Sequence, residues 1–204
     1  MTTTRRRRSV RTRLLPFTGL VPVVLMVPVL AFDLYGLAIV LALVSGLAVV
    51  AFHLRRGQGV TSLDLLLLGF AALNAVLYLG LDSTVLLDHL DAVVYSLLTL
   101  QAASSLRPGA EPWTTQFTRR VMAPEAWSRP EFVDMNRFST GLWVACFASC
   151  TALALAAGDP LRLYLPIALM VAVAVASRRL AREYLARLLG VAPDALPAPF
   201  DAAG

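Results

Sequence analysis

Lysine is absent from this chain of 204 residues, and all 18 basic residues are arginine. Charge of either sign is sparse: 15% of the residues are charged, where an ordinary soluble domain has about 25%. With 58% hydrophobic residues and a mean hydropathy of +0.70, the chain has too little polar surface to cover a water-soluble globule of its size. Histidine and cysteine are scarce as well, two of each. His53 and His89 lie on different segments from Cys146 and Cys150, which argues against a zinc site of the usual ligands. The two cysteines are four apart in one apolar run, so they share a helix face as small packing residues, and form neither a disulfide framework nor a CxxC pair. Missing too are a P-loop, G-x-S-x-G, H-E-x-x-H and the dinucleotide fingerprint. The expectation is a non-enzymatic chain with no cofactor and no metal.

What is present is a series of apolar runs that approach the roughly 20 residues a helix needs to cross a bilayer. The expected fold is all-α, a polytopic membrane helix bundle with six transmembrane helices. The spans are read at Leu14–Phe32, Leu34–Leu54, Ser62–Leu81, Thr84–Leu106, Arg137–Ala157 and Leu161–Ala176. The first carries Pro16, Pro22 and Pro28 and is expected to kink. A tight turn at Asp33 leads into the second. The third opens on "TSLD", a capping box with Thr61 as cap and Asp64 answering it. The basic start "MTTTRRRRSVRTR" resembles the n-region of a signal peptide. The long run after it meets a second spanning run with no A-x-A site between, so it is read as a retained first helix.

Arginine placement sets the orientation. Basic residues accumulate on the cytoplasmic side of bacterial inner-membrane proteins. Arg5 to Arg8, Arg11 and Arg13 precede span one, and Arg55 and Arg56 follow span two. Arg107, Arg119, Arg120, Arg129 and Arg137 lie between spans four and five, and Arg178, Arg179, Arg182 and Arg187 follow span six. Only Arg162 falls on the other side, so both termini are placed in the cytoplasm, while Asp33, Asp82 and Asp159 face out. The chain then divides into a basic tail (1–13), spans one to four (14–107), an interfacial loop (108–136), spans five and six (137–177), an amphipathic cytoplasmic helix (178–190) and a disordered tail (191–204). Arginines beside a span attract anionic headgroups by about 1 kcal/mol each. The expected partners are therefore the lipid bilayer and its anionic headgroups at the cytoplasmic face, with no nucleic acid.

The 108–136 loop mixes Trp113, Phe117, Met122, Trp127, Phe132 and Met135 with charges, as amphipathic interfacial helices do. In it "SRPEF" reads as a helix start with Ser128 as cap and Glu131 at N3. Pro112, Trp113, Thr114, Gln116, Phe117, Arg119 and Arg120 form a candidate cytoplasmic interaction motif.

The stretch "LLDHLDAVVYS" places Asp88 and Asp91 within about 60° on a continuous helix, with Tyr95 between them. Charge at the bilayer centre costs roughly 2.5–3.5 kcal/mol, so such a stripe should face protein or water. Hairpin geometry about Asp82 sets Tyr78 opposite Asp88 and Asn74 opposite Asp91. Asn74, Tyr78, Asp88, Asp91 and Tyr95 are thus a candidate intramembrane polar cluster. Three readings stay open: span four starts late, near Asp91, leaving Asp88 and Asp91 as helix-start residues at the outer surface; a structural cluster; and a proton- or solute-handling site. On span five, Gly141, Ala145 and Ser149 form a small-residue ladder, expected to pack within the chain or, as the alternative, in a homodimer.

Two stretches carry a resemblance. "ALVSGLAVVAFHLRRGQGVTSLDLLLLGFAALN" (Ala42 to Asn74) resembles the span–basic loop–span unit of bacterial intracellular septation protein A-like membrane proteins. "EPWTTQFTRRVMAPEAW…NRFSTGLW" (Glu111 to Trp143) is similar to a Pro-Phe-Thr-x-Gln-Tyr-Ala-Arg segment of proteins in that neighbourhood. Pro112, Thr114, Gln116 and Arg119 match it, whereas Trp113 and Phe117 replace its aromatics and Thr118 stands where it has alanine. The Lys-Pro element associated with span four of those proteins is absent. The resemblance implies an inner-membrane protein with an envelope- or division-associated role and supplies no catalytic residues. The alternative is a small-solute or ion transporter using the polar stripe of span four.

Overall fold

The computed structural model describes residues 21–57, 59–120, 124, 127–156, 158 and 161–190. The basic tail, the start of span one with Pro16, Met122, Asp159 and the 191–204 tail lie outside the described residues. Among the described residues the fold is all-helical. In chain order the helices are α1 (Val21–Leu30), α2 (Tyr35–Arg55), α3 (Ser62–Leu81), α4 (Val85–Asp88), α5 (Leu90–Ser104), α6 (Thr115–Thr118), α7 (Pro130–Ala156) and α8 (Leu161–Leu189). Of these α2, α3 and α7 are long and apolar enough to cross a membrane. Shorter apolar helices cover Val21–Leu30, Leu90–Ser104 and Tyr164–Ser177.

The chain forms two compact units, 1–90 and 91–204. In the first, α1, α2 and α3 run antiparallel. The turn between α1 and α2 is made at Asp33, whose φ of 57° is left-handed. Aspartate tolerates that conformation better than most side chains. Asp82 does the same at the end of α3, with φ 49°. The start of α3 is the expected capping box: Thr61 Oγ1 accepts from the Asp64 amide at 3.2 Å, and the Asp64 carboxylate accepts from the Thr61 amide at 2.9 Å.

Side-chain size along α2 is the inverse of a soluble helix. Ala38, Ala42 and Gly46, four residues apart, are buried, whereas Leu37, Val40, Val44 and Leu47 are half or more exposed. Between apolar helices in lipid no hydrophobic driving force remains, so small residues let backbones approach and large aliphatics turn outward. Gly46 marks the closest approach. A Cβ there would lie 3.2 Å from Leu68 Cδ1 and 3.8 Å from Pro22. Met26, Ile39, Ala71 and Leu87 complete this core.

The expected fourth span is divided. α4 ends at Asp88, His89 adopts a non-helical turn, and α5 begins at Leu90. The interruption removes the continuous helix on which the Asp88–Asp91 stripe was drawn. At 15 residues α5 rises about 22 Å, less than the roughly 30 Å of bilayer hydrocarbon.

In the second unit α7 and α8 pack as an antiparallel pair. Phe138 stacks on Tyr184 near one end, centroids 4.8 Å apart and planes 3° apart. Near the other the buried Cys150 thiol donates to the Pro166 carbonyl at 3.8 Å. Cys150 thus packs at this interface, and both cysteines are free and buried. α7 starts at Pro130 and runs unbroken into the apolar segment, so the interfacial helix and span five are one element of 27 residues. The Arg129 carbonyl accepts from Val133 N. The cap is therefore Arg129 rather than Ser128, and Glu131 sits at N2 instead of N3. Likewise α8 continues without a break from the apolar segment to Leu189. Among the described residues the Gly141 ladder does not pack within the chain as expected. Ala145 and Ser149 are exposed, and open space surrounds a Cβ placed on Gly141.

Candidate functional site

The five residues of the expected intramembrane cluster divide between the units. Asn74, Tyr78 and Asp88 belong to the first, Asp91 and Tyr95 to the second. Asn74 is buried, and its amide donates to the Phe70 carbonyl one turn back, at 2.8 Å. Tyr78 packs over Gly36, whose added Cβ would lie 3.6 Å from the ring. Asp88, the last residue of α4, is exposed and accepts from Thr84 Oγ1 at 2.9 Å. Tyr35, which sequence reasoning did not single out, lies within electrostatic reach of Asp33 and Asp88. In the second unit Asp91 sits in the first turn of α5 and accepts from the Ala92 amide at 2.9 Å. A carboxylate there is favoured by the helix dipole. Tyr95, a turn deeper, is half-buried near both cysteines of α7.

Among the described residues the most enclosed ionisable pair is elsewhere. His53 Nδ1 lies 3.0 Å from Asp64 Oδ2, with His53 0% and Asp64 4% exposed. The same carboxylate oxygen closes the capping box with Thr61 N. One aspartate therefore fixes both the start of α3 and its attachment to the end of α2. Sequence reasoning set the capping box and left His53 aside as a metal ligand without partners. The signal was present: equal-depth pairing across the loop at about residue 58 sets position 53 against position 64. Arg56 next to the pair lies over the Phe52 ring, 4.4 Å from its centroid.

A second polar assembly docks the 111–120 segment on α7. Pro112, Trp113, Thr114 and Thr115 are buried. Thr114 N donates to Thr140 Oγ1 at 3.2 Å, Thr114 Oγ1 donates to the Asn136 carbonyl at 2.8 Å, and the two threonine hydroxyls are 3.0 Å apart. Thr118 Oγ1 donates to Asn136 Oδ1 at 2.9 Å, while the Asn136 amide donates to the Phe132 carbonyl. Trp113 N donates to Ser105 Oγ at 2.8 Å. The indole meets Phe117, Trp143 and Phe147 edge-on, at 4.9, 6.5 and 5.7 Å. Of the expected interaction motif, then, Pro112, Trp113 and Thr114 face inward and Gln116, Phe117 and Arg120 are half-buried. Arg119 is exposed, pairs with Glu111 at 2.8 Å and lies over Trp127 at 5.2 Å. Asn136 and Thr140, both 0% exposed, were not among the expected site residues. Their four-residue spacing on one helix face was the available signal.

Among the described residues no group of three His, Cys, Asp or Glu side chains could hold a metal ion. No family model, curated protein or solved structure matches this chain.

Proposed function

We propose that this chain is a non-enzymatic, six-span bacterial inner-membrane protein with both termini in the cytoplasm. Its arginine-rich cytoplasmic side engages anionic lipid headgroups or other envelope proteins in a scaffolding role. The observation that carries this reading is how the apolar helices use their polar groups. Asn74, Thr99, Asn136, Ser149 and Thr151 each donate to a carbonyl four residues back on their own helix. Two enclosed polar assemblies, His53–Asp64 and Thr114–Asn136–Thr140, clip neighbouring segments together, while Gln101 Oε1, Trp113 Nε1 and Thr115 Oγ1 are buried without a hydrogen-bond partner. Polar groups engaged this way support packing in lipid rather than a path for solute. The resemblance to septation protein A-like proteins suggests the envelope or cell division as the setting.

Two measurements test this. Single cysteines at Gly57, Gly109 and Asp82, in a background free of Cys146 and Cys150, are labelled with a membrane-impermeant reagent. Labelling of intact cells is expected at 82 alone, and labelling at 57 or 109 overturns the topology. Deletion of the gene is expected to alter cell length or septum placement. Normal shape combined with loss of uptake of a solute, abolished equally by Asp91→Asn, would transfer the function to the transport reading.

A further inference from the structure

Helix α8 changes character at Ser177. Tyr164–Ser177 is apolar, and the next ten residues include Arg178, Arg179, Arg182, Glu183 and Arg187. A shallow, open strip of α8 surface crosses that change, made by Ala172, Val175 and Ala176 and then by Arg179 and Glu183. A hollow of about 110 Å³ shares Glu183 and adds Arg187 and the stacked rings of Phe138 and Tyr184. The stack lines this hollow and ties α8 to α7 there.

Positions 172, 176, 179, 183 and 187 follow the three- and four-residue spacing of a single helix face. From 172 to 187 the helix rises about 22 Å, about half of a bilayer of roughly 40–45 Å with its headgroups. Three features coincide on one face: an apolar strip of small side chains, a charged array at its end, and the length of one leaflet. The charges alternate as Arg179, Glu183, Arg187. All three are exposed, and none is ion-paired to another described residue.

We propose that this face of α8 holds one phospholipid of the phosphatidylethanolamine class. The acyl chain lies along Ala172, Val175 and Ala176, the phosphate meets Arg179, and the primary ammonium meets Glu183. The order of charges selects the headgroup. In that lipid the phosphate is bonded to the glycerol and the ammonium follows two carbons farther out. On α8 the cation likewise comes first and the anion one turn beyond, nearer water. A phosphatidylglycerol headgroup offers no cation to Glu183, whose carboxylate then opposes its phosphate. The proposal rests on α8 crossing the membrane with its C-terminal end at the cytoplasmic interface.

The test uses the full chain, extracted from vesicles of equimolar phosphatidylethanolamine and phosphatidylglycerol and weighed by native mass spectrometry. Wild type is expected to retain the ethanolamine lipid about fivefold over the glycerol lipid, a ratio of the order one exposed ion pair supports. Glu183→Gln should bring the ratio to about one without loss of total lipid, since only the ammonium contact is removed. Arg179→Gln should lower retention of both lipids, and Arg179→Lys should restore it. Equal retention by wild type, or an unchanged ratio in Glu183→Gln, overturns the proposal. Glu183→Cys labelled from outside intact cells would overturn the topology on its own, leaving the retention ratio as an independent result.

Discussion

His53 and Asp64 show how far one residue's environment depends on what another segment brings to it. Alone, Asp64 is a capping residue worth about 1 kcal/mol. Enclosed with His53, it becomes half of a buried pair, in which loss of one partner costs more than replacement of both. His53→Ala is therefore expected to destabilise the protein by roughly 3 kcal/mol, since it strands the buried carboxylate. The double variant His53→Leu/Asp64→Leu should recover most of that loss, short of the cap. Thermal unfolding of the detergent-solubilised protein measures both. A double variant no more stable than His53→Ala would show that the pair itself, rather than an orphaned charge, sets the cost. At the same scale, the capping box was legible from "TSLD" because its bonds are local. The histidine partner was not, because position 53 meets 64 only after the hairpin closes.

Helices are the scale at which pattern and packing part company. The sequence contains two small-residue ladders, and spacing alone does not rank them. Ala38, Ala42 and Gly46 on α2 are the buried one, and Ala145 and Ser149 on α7 are exposed. Gly46→Val is expected to destabilise by about 1–3 kcal/mol, because Leu68 and Pro22 already occupy the space. Gly141→Ala meets open space and should stabilise by about 0.5–1 kcal/mol through helix propensity alone. Paired unfolding measurements decide it, and destabilisation by Gly141→Ala would show that this face is covered in the membrane. Most helix bounds were readable from hydropathy: α3 matches its expected span residue for residue, and α2 is displaced by one. A late start of span four near Asp91 was one of the open readings, and α5 begins at Leu90; the separate helical turn before His89 was not readable. Nothing in "LLDHLDAV" departs from helical periodicity, and neither glycine nor proline marks the interruption.

For the whole molecule, each unit carries its own core. The first is built on Met26, Ala38, Ala42 and Ala71. The second has Trp113, Phe132, Phe147 and Cys150 among its buried residues. Destabilisation at distant sites without shared partners stays additive, and local opening follows compact units. Thr114→Val removes the bonds from the Thr114 hydroxyl to Asn136 and Thr140. It should raise amide hydrogen exchange across 112–120 and 130–140 by about tenfold, as loss of about 1–1.5 kcal/mol implies, while leaving α2 and α3 unchanged. Faster exchange throughout both units would show that the chain opens as one body.

The sequence by itself determined the helical class, the apolar composition and most helix limits. Each follows from composition or from contacts within a few residues along the chain. Tertiary structure alone decided which small-residue ladder is buried, that His53 closes on Asp64, and that Trp113 and Thr114 turn inward onto Asn136 and Thr140. Those outcomes depend on which faces of separate helices come together, and in an apolar environment that choice is made by close packing and polar satisfaction. Hydropathy, nearly uniform along such helices, does not distinguish one face from another.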